Sequence, residues 1–141
     1  MVTRLVRDLM RAHTVAYRVS GGLVGGWMPG VGSMLLLDHV GAKSGKKRTN
    51  ALVYIPDGDD LVIVASKGGA PRNPAWFHNL RANPDTTVQV GRRQIPVRAR
   101  VATPEQRSRL WPRVVATYGG YEGYQERTSR EIPLVILQPR A

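Results

Sequence analysis

SMLLLDHVGAKSGKKRTNALVYIPDGDDLVIVA, residues 33–65, is the stretch on which the architecture turns. Three strand-like runs, 33–40, 48–55 and 61–65, are separated by two breaks. The first break, Gly41-Ala42-Lys43-Ser44-Gly45-Lys46, carries two glycines, and the second, Pro56-Asp57-Gly58-Asp59, is dense in turn formers. Runs of this length between such breaks read as strands joined by hairpins. The third run is almost wholly aliphatic, which predicts a strand buried on both faces.

Working outward, residues 66–73 form a loop, and Asn73 and Pro74 are start signals for a helix over 74–82. Strands over 86–90 and 94–102 flank a turn at Gly91-Arg92. Thr103 stands as the cap of a helix opened by Pro104 and Glu105, the region 118–128 reads as helical, and 132–137 is a last strand. Upstream, 4–19 is an amphipathic helix stopped by Gly21 and Gly22, followed by a flexible connection over 25–30. Hairpins dominate and strands are short, as in antiparallel barrels with helices over their openings. The strands do not alternate with helices, so a doubly wound parallel sheet is excluded. No G-x-G-x-x-G follows a strand and no P-loop is present, which argues against an ordinary NAD or ATP site.

The chain of 141 residues suits one core, divided here into 1–32, a helix with a glycine-rich connection, and 33–141, the barrel. Lys and Arg number 21 against 10 Asp and Glu, for a formal charge of +11. Such an excess implies anionic company, whether nucleic acid, anionic lipid or a polyanionic cofactor. Cysteine is absent, so disulfides and thiolate chemistry are excluded. His13, His39 and His78 lack metal-ligand spacing and read as ordinary packed or surface histidines. No apolar run approaches the roughly 20 residues that span a bilayer, and arginines interrupt any signal-peptide core, so a cytoplasmic location is expected.

Four features bear on function. The basic turn 41–48 offers backbone N–H groups and nearby cations, which suits a phosphate as well as it suits a solvated hairpin tip. Ala65-Ser66-Lys67-Gly68-Gly69 follows the aliphatic strand; its glycines allow a flat ligand close to the backbone, or the segment is a plain connector. Ser66 has no recognisable triad partners, so a nucleophilic role is disfavoured. Tyr118, Tyr121 and Tyr124, spaced by three, share one side of a helix, either as an amphipathic wall for an aromatic ligand or as a packed stripe. Finally, Arg4, Arg7, Arg11 and Arg18 fall in one narrow sector of the first helix, with Leu5, Leu9 and Ala16 across from them. That sector is a solvated face above an apolar packing face, or a surface for anionic lipid or a polyanionic ligand tail.

Four motifs in order carry a resemblance: GAKSGKKRT at 41–49, ASKGG at 65–69, PAWFHNLRANP at 74–84, and the three tyrosines followed by IPLVIL at 132–137. Together they resemble the deazaflavin-dependent nitroreductases, a family of F-420-dependent oxidoreductases. The resemblance implies an α+β fold, a split β-barrel of mostly antiparallel strands like the FMN-binding split barrels, with flanking helices. It implies coenzyme F-420, an 8-hydroxy-5-deazaflavin on a ribityl phosphate with lactate and an oligoglutamate tail, passing hydride to a quinone, enone lactone or nitroaromatic. By motif position Lys43, Ser44 and Arg48 would hold the phosphate region. Ala65, Ser66, Lys67, Gly68, Trp76 and Asn79 would line the deazaflavin and its chain. Tyr118, Tyr121 and Tyr124 would wall the acceptor pocket, with Ser66, Tyr121 and Tyr124 nearest the chemistry. Ala51 departs from the family pattern, which has proline there, and a looser local backbone is expected.

The physical chemistry agrees, since a phosphate and glutamates explain the cationic excess and the cofactor needs no catalytic triad. The rivals are an FMN-dependent enzyme on the same barrel, a basic membrane-surface module and a nucleic-acid-binding barrel. The last usually interleaves aromatics with cations on strands, whereas this chain has one phenylalanine and places its tyrosines on a helix.

Overall fold

The computed structural model describes residues 4–28 and 32–140. In chain order the elements are α1 (Arg4–Ser20), β1 (Trp27–Met28), β2 (Gly32–Val40), β3 (Lys47–Asp57), β4 (Asp60–Val64), α2 (Ala75–Ala82), β5 (Asp85–Val90), β6 (Arg93–Val101), α3 (Pro104–Thr117), α4 (Gly120–Glu126) and β7 (Leu134–Pro139). The sheet order is β1-β2-β3-β4-β7-β6-β5, and β5 pairs back onto β2, so six strands close a barrel in which every pairing is antiparallel. Closure removes the exposed edges that an open sheet of this size would leave. The structure corrects one detail of the connection: Trp27 and Met28 pair with Ser33 and Gly32 as a short strand. Gly25 and Gly26 precede it in a turn, and Pro29 and Gly30 lie outside the described residues.

Period-two alternation explains how the barrel is filled. Ile63 of β4 and Val135 and Leu137 of β7 point inward with Leu35, Leu37, Val88, Val97 and Ala99, and α2 adds Trp76, Phe77 and Leu80. The alternate residues Val62, Val64, Leu134 and Ile136 point outward beneath Leu110, Val114 and Tyr121 of α3 and α4. Both faces of β4 and β7 are therefore covered, as the aliphatic composition of 61–65 predicts. Each large side chain so buried contributes about 1.5–3 kcal/mol. Thr103 caps α3 through a reciprocal pair, its hydroxyl accepting from the Gln106 N–H and the Gln106 side chain accepting from its own N–H. Asn73 does not cap α2; Pro74 stands at that position and makes no side-chain bond. At Ala51 the ladder is uninterrupted, with Ala51 facing Leu36.

The first helix sits opposite to a simple amphipathic docking. Its C-terminal end is fastened by Tyr17, whose hydroxyl shares its one proton between the carbonyls of Met34 at 2.9 Å and Gln89 at 3.2 Å and accepts from the Gly91 N–H. Arg18 pairs with Asp38 of β2 at 2.8 Å and also reaches Gln89. Arg18 is thus paired with the barrel, which sets it apart from the other three arginines of the stripe. Apolar residues on and just after the helix are left exposed: Leu5 is 69% exposed, Leu9 61%, Val19 83%, Leu23 83% and Trp27 64%, with Leu9 on the rim of a groove between α1 and β3.

Candidate active site

Two loops and one aromatic cluster carry the candidate chemistry. The first loop is the β2–β3 tip. Gly45 takes a left-handed φ of 69° and its N–H donates to the Gly41 carbonyl, while the Gly41 N–H donates to the Lys46 carbonyl. A side chain at Gly41 would strike the Ser44 hydroxyl, which accepts from the Lys46 N–H. Lys43, Ser44, Lys46, Lys47 and Arg48 all project to solvent. Among the described residues none of these cations is paired with a carboxylate.

Asn79 holds this tip from below. Its Oδ1 accepts from the Ala42 N–H at 2.9 Å and its Nδ2 donates to His39 Nδ1 at 3.0 Å. His39 Nε2 in turn donates to Asn50 Oδ1 at 2.7 Å. That chain demands the neutral imidazole, and burial accordingly holds the His39 pKa below its ordinary value. Asn79 is therefore a buried brace between α2 and the tip. Trp76, also buried, belongs to the barrel interior.

The second loop leaves β4 at Ala65. Lys67, Gly68 and Gly69 take φ values of 44°, 63° and 80° in succession. For Lys67 that conformation costs on the order of 1 kcal/mol, and it persists only because neighbours dictate it. Arg130 supplies the restraint. Its Nε donates to the Ala70 carbonyl at 2.9 Å, one Nη to the Ala65 carbonyl at 3.2 Å and to Asn73 Oδ1 at 2.7 Å, and the other Nη to the Ser66 carbonyl at 2.8 Å. Desolvation lowers the Arg130 pKa from its usual value, leaving the guanidinium charged at any working pH. Sequence reasoning missed Arg130, because a lone arginine before the last strand carries no local signal. Its own carbonyl accepts from Gln125, whose Oε1 also accepts from the Ile132 N–H and from Arg107.

The tyrosines meet this loop. Gly69 lies so close to α4 that an added Cβ would sit 2.6 Å from the Tyr124 carbonyl oxygen. The rings of Tyr118 and Tyr121 meet edge to face at 5.1 Å, and Tyr124 closes the triangle at 6.0 Å from each. Tyr118 is not on the same helix as the others; it caps α3 in extended backbone, and folding brings it back. Its hydroxyl lies 3.2 Å from that of Tyr124. Tyr121 is buried against the outer core, which pushes its pKa up to about 12. The Tyr124 pKa is raised first by the hydrogen bond to Tyr118 and then by desolvation. The structure thus joins Ser66, Lys67 and Gly68 to the three tyrosines across Gly69, while Lys43, Ser44 and Arg48 form a separate cationic tip braced by α2.

A groove of about 1070 Å³ adjoins that tip, between α1 and β3, with Arg7, Arg11, Lys46, Lys47 and Arg48 among its lining residues. Among the described residues no cluster of His, Asp or Glu could hold a metal, and no helix is long and apolar enough to cross a membrane.

Comparison with known proteins gives a consistent set. A family model described as F420H2-dependent quinone reductase matches residues 9–139. An F420H2-dependent quinone reductase of Mycobacterium tuberculosis is 45% identical over 136 residues, covering 94% of this chain and 91% of the relative. A solved structure described as a domain-swapped dimer has a TM-score of 0.73 at 34% identity and covers 95% of this chain and 97% of its own. Another, an F-420-H2-dependent reductase, has a TM-score of 0.69 at 40% identity over 74% of this chain and 93% of its own.

Proposed function

The chain belongs to the F420H2-dependent quinone reductase family, and from that premise we propose that it reduces a quinone held between the Ala65–Gly69 loop and the tyrosine cluster. Membership makes it an oxidoreductase with reduced coenzyme F-420 as hydride donor. The cofactor supplies the hydride chemistry when bound; the protein binds it, orients it, excludes water and supplies a proton. The residues present fit such a group. Lys43 and Arg48, unpaired with carboxylates among the described residues and carried on a braced turn, suit a phosphate, with the Ser44 hydroxyl beside them. Ala65, Ser66, Lys67 and Gly68 present a backbone bent far enough for a flat ring to approach. Trp76 and Asn79 act beneath the site, as the floor of the barrel and the brace of the tip.

The observation that carries this reading is the contact of Gly69 with Tyr124, which sets a cofactor-type loop directly against three phenols. Tyr118, Tyr121 and Tyr124 wall the acceptor side, where phenols suit an aromatic, oxygen-bearing ligand. Tyr124, bonded to Tyr118 and less buried than Tyr121, is the group assigned to deliver the proton, with Ser66 at the reacting ring. The test is an anaerobic assay with reduced F-420, NADPH and reduced FMN against quinones, enones and nitroaromatics, joined to a fluorescence titration. Lys43→Ala or Arg48→Ala should weaken F-420 binding by about 1–3 kcal/mol. Equal affinity for F-420 and FMN, or turnover with NADPH alone, overturns the reading.

We further propose that α1 touches a membrane peripherally, because Leu5, Leu9 and Val19, with Leu23, Val24 and Trp27, form an exposed apolar strip. A membrane-dissolved quinone gives that contact a purpose. Vesicle co-sedimentation lost on deleting residues 1–20 supports it. A stable dimer by light scattering that ignores vesicles overturns it.

A further inference from the structure

The cationic tip stands on a buried chain of hydrogen bonds whose direction is fixed from one end. The Ala42 N–H can only donate, so the Asn79 atom that meets it at 2.9 Å is the amide oxygen. Asn79 Nδ2 then donates to His39 Nδ1 at 3.0 Å, so Nδ1 carries no proton. The ring proton sits on Nε2 and is donated to Asn50 Oδ1 at 2.7 Å. His39 and Asn79 are both buried, so water does not stand in for a lost partner. The N–H groups of Gly41, Gly45 and Lys46 bond within the tip, whereas that of Ala42 leaves it for α2. Ala42 precedes Lys43, and His39 faces Arg48 in the β2–β3 register. One imidazole therefore stands behind both cations assigned to the phosphate.

A second proton on the ring breaks this chain. Imidazolium has two donors and no acceptor, so its Nδ1–H would face the Nδ2 donor of Asn79. Turning the Asn79 amide over satisfies His39 but sets Nδ2 against the Ala42 N–H, and the clash of donors moves to the tip. The charges around the ring do not relieve it. Arg48 on β3 opposes the proton; Asp38 on β2 favours it but is already engaged by Arg18 and Thr49. On α2, His78 and Arg81 are exposed, and on β5, Asp85 is exposed and paired with Arg98. We infer that His39, acting through Asn79, is a positioning residue for the anion-binding tip, and that only its neutral form holds Lys43 and Arg48 ready for the cofactor phosphate. The inference rests on the cofactor reading. Cofactor binding is then linked to one proton, which binding expels from the ring. A histidine acting by its charge alone would do the reverse, because imidazolium beside Arg48 attracts an anion and affinity would rise in acid.

The experiment is calorimetric titration of the full chain with oxidised F-420 from about pH 8 to about pH 5, wherever circular dichroism shows the native fold. His39→Gln supplies one acceptor and one donor without a titrating group. Relative to that variant, the unmodified chain should lose affinity on acidification below about pH 6.5, toward a limit of about tenfold per pH unit for one linked proton. Ionisations of F-420 itself are common to both chains and cancel in the ratio. Asn79→Asp makes the comparison from the other side and serves alone should His39→Gln fold poorly. Its carboxylate accepts from the Ala42 N–H and from the Nδ1–H of imidazolium, so its affinity relative to the unmodified chain should climb as the pH falls. A ratio to His39→Gln that stays level or rises in acid overturns the inference. So does an Asn79→Asp chain that loses affinity in acid as steeply as the unmodified one. Absence of F-420 binding at about pH 8, or indifference there to Lys43→Ala and Arg48→Ala, overturns the cofactor reading instead; it is told apart because His39 is neutral at that pH.

Discussion

Replacing Arg130 by methionine keeps much of the apolar stem and removes the guanidinium. Four hydrogen bonds go with it, to the carbonyls of Ala65, Ser66 and Ala70 and to Asn73. Bonds to a charged donor contribute about 1.5–3 kcal/mol each where the acceptor is buried and far less where water replaces the donor. Ala65 and Ser66 are buried, whereas Ala70 and Asn73 are only partly so. Counting the first two acceptors at the low end of the range gives a loss of about 3 kcal/mol. Relaxation of the left-handed Lys67 returns on the order of 1 kcal/mol, so the net cost is about 2 kcal/mol. The more telling effect is on function, because the relaxed loop no longer holds its three successive left-handed residues. Urea unfolding should show the stability loss, and F-420 affinity should fall about tenfold. Arg130→Lys, which retains the charge but not the fork, should recover little. Methylguanidinium added to a smaller Arg130→Ala variant should restore part of the affinity. A loss below about 0.5 kcal/mol with unchanged cofactor affinity would refute the restraint argument.

Gly69→Ala adds a Cβ 2.6 Å from the Tyr124 carbonyl oxygen at a φ of 80°, so it should cost more than about 2 kcal/mol and disturb acceptor turnover; a melting temperature equal to that of the unmodified chain would contradict it. Burial keeps the His39 pKa below its usual 6.5, so the unfolded chain takes up the proton first. Stability should therefore be full above about pH 6.5 and fall as the pH drops through the lower folded value; urea midpoints across that range check the sign, and His39→Gln should flatten the slope. Tyr124→Phe breaks the 3.2 Å bond to Tyr118 and should lower turnover while leaving F-420 affinity nearly intact; loss of cofactor binding in a folded variant would misassign the cluster. Tyr121, raised to about 12, contributes stability that persists up to the ordinary tyrosine range near pH 10 and is lost as the pH climbs through about 12, a limb that Tyr121→Phe should remove in alkaline unfolding.

Local signals were enough for most elements, because each is written in neighbouring residues. The break at 41–46 with its glycines, the turn at 56–59, the Thr103 cap and the aliphatic 61–65 each specify a conformation within a few positions, and the strands and helices stand where those signals put them. The motifs that carry the family resemblance are equally local. Closure of the barrel by β5 onto β2, the approach of Gly69 to the Tyr124 carbonyl, and the grip of Arg130 on a loop some 60 positions earlier depend on long-range packing. No spacing rule connects such residues. The orientation of α1 is the clearest case. Its amphipathic pattern is plain in the sequence, but either side can meet the barrel, and a period of 3.6 does not choose between them. The choice falls to Tyr17 and Arg18, whose partners on β2 and β5 exist only once those strands are side by side; their bonds fasten the end of the helix and leave both Arg7 and Arg11 and Leu5 and Leu9 exposed.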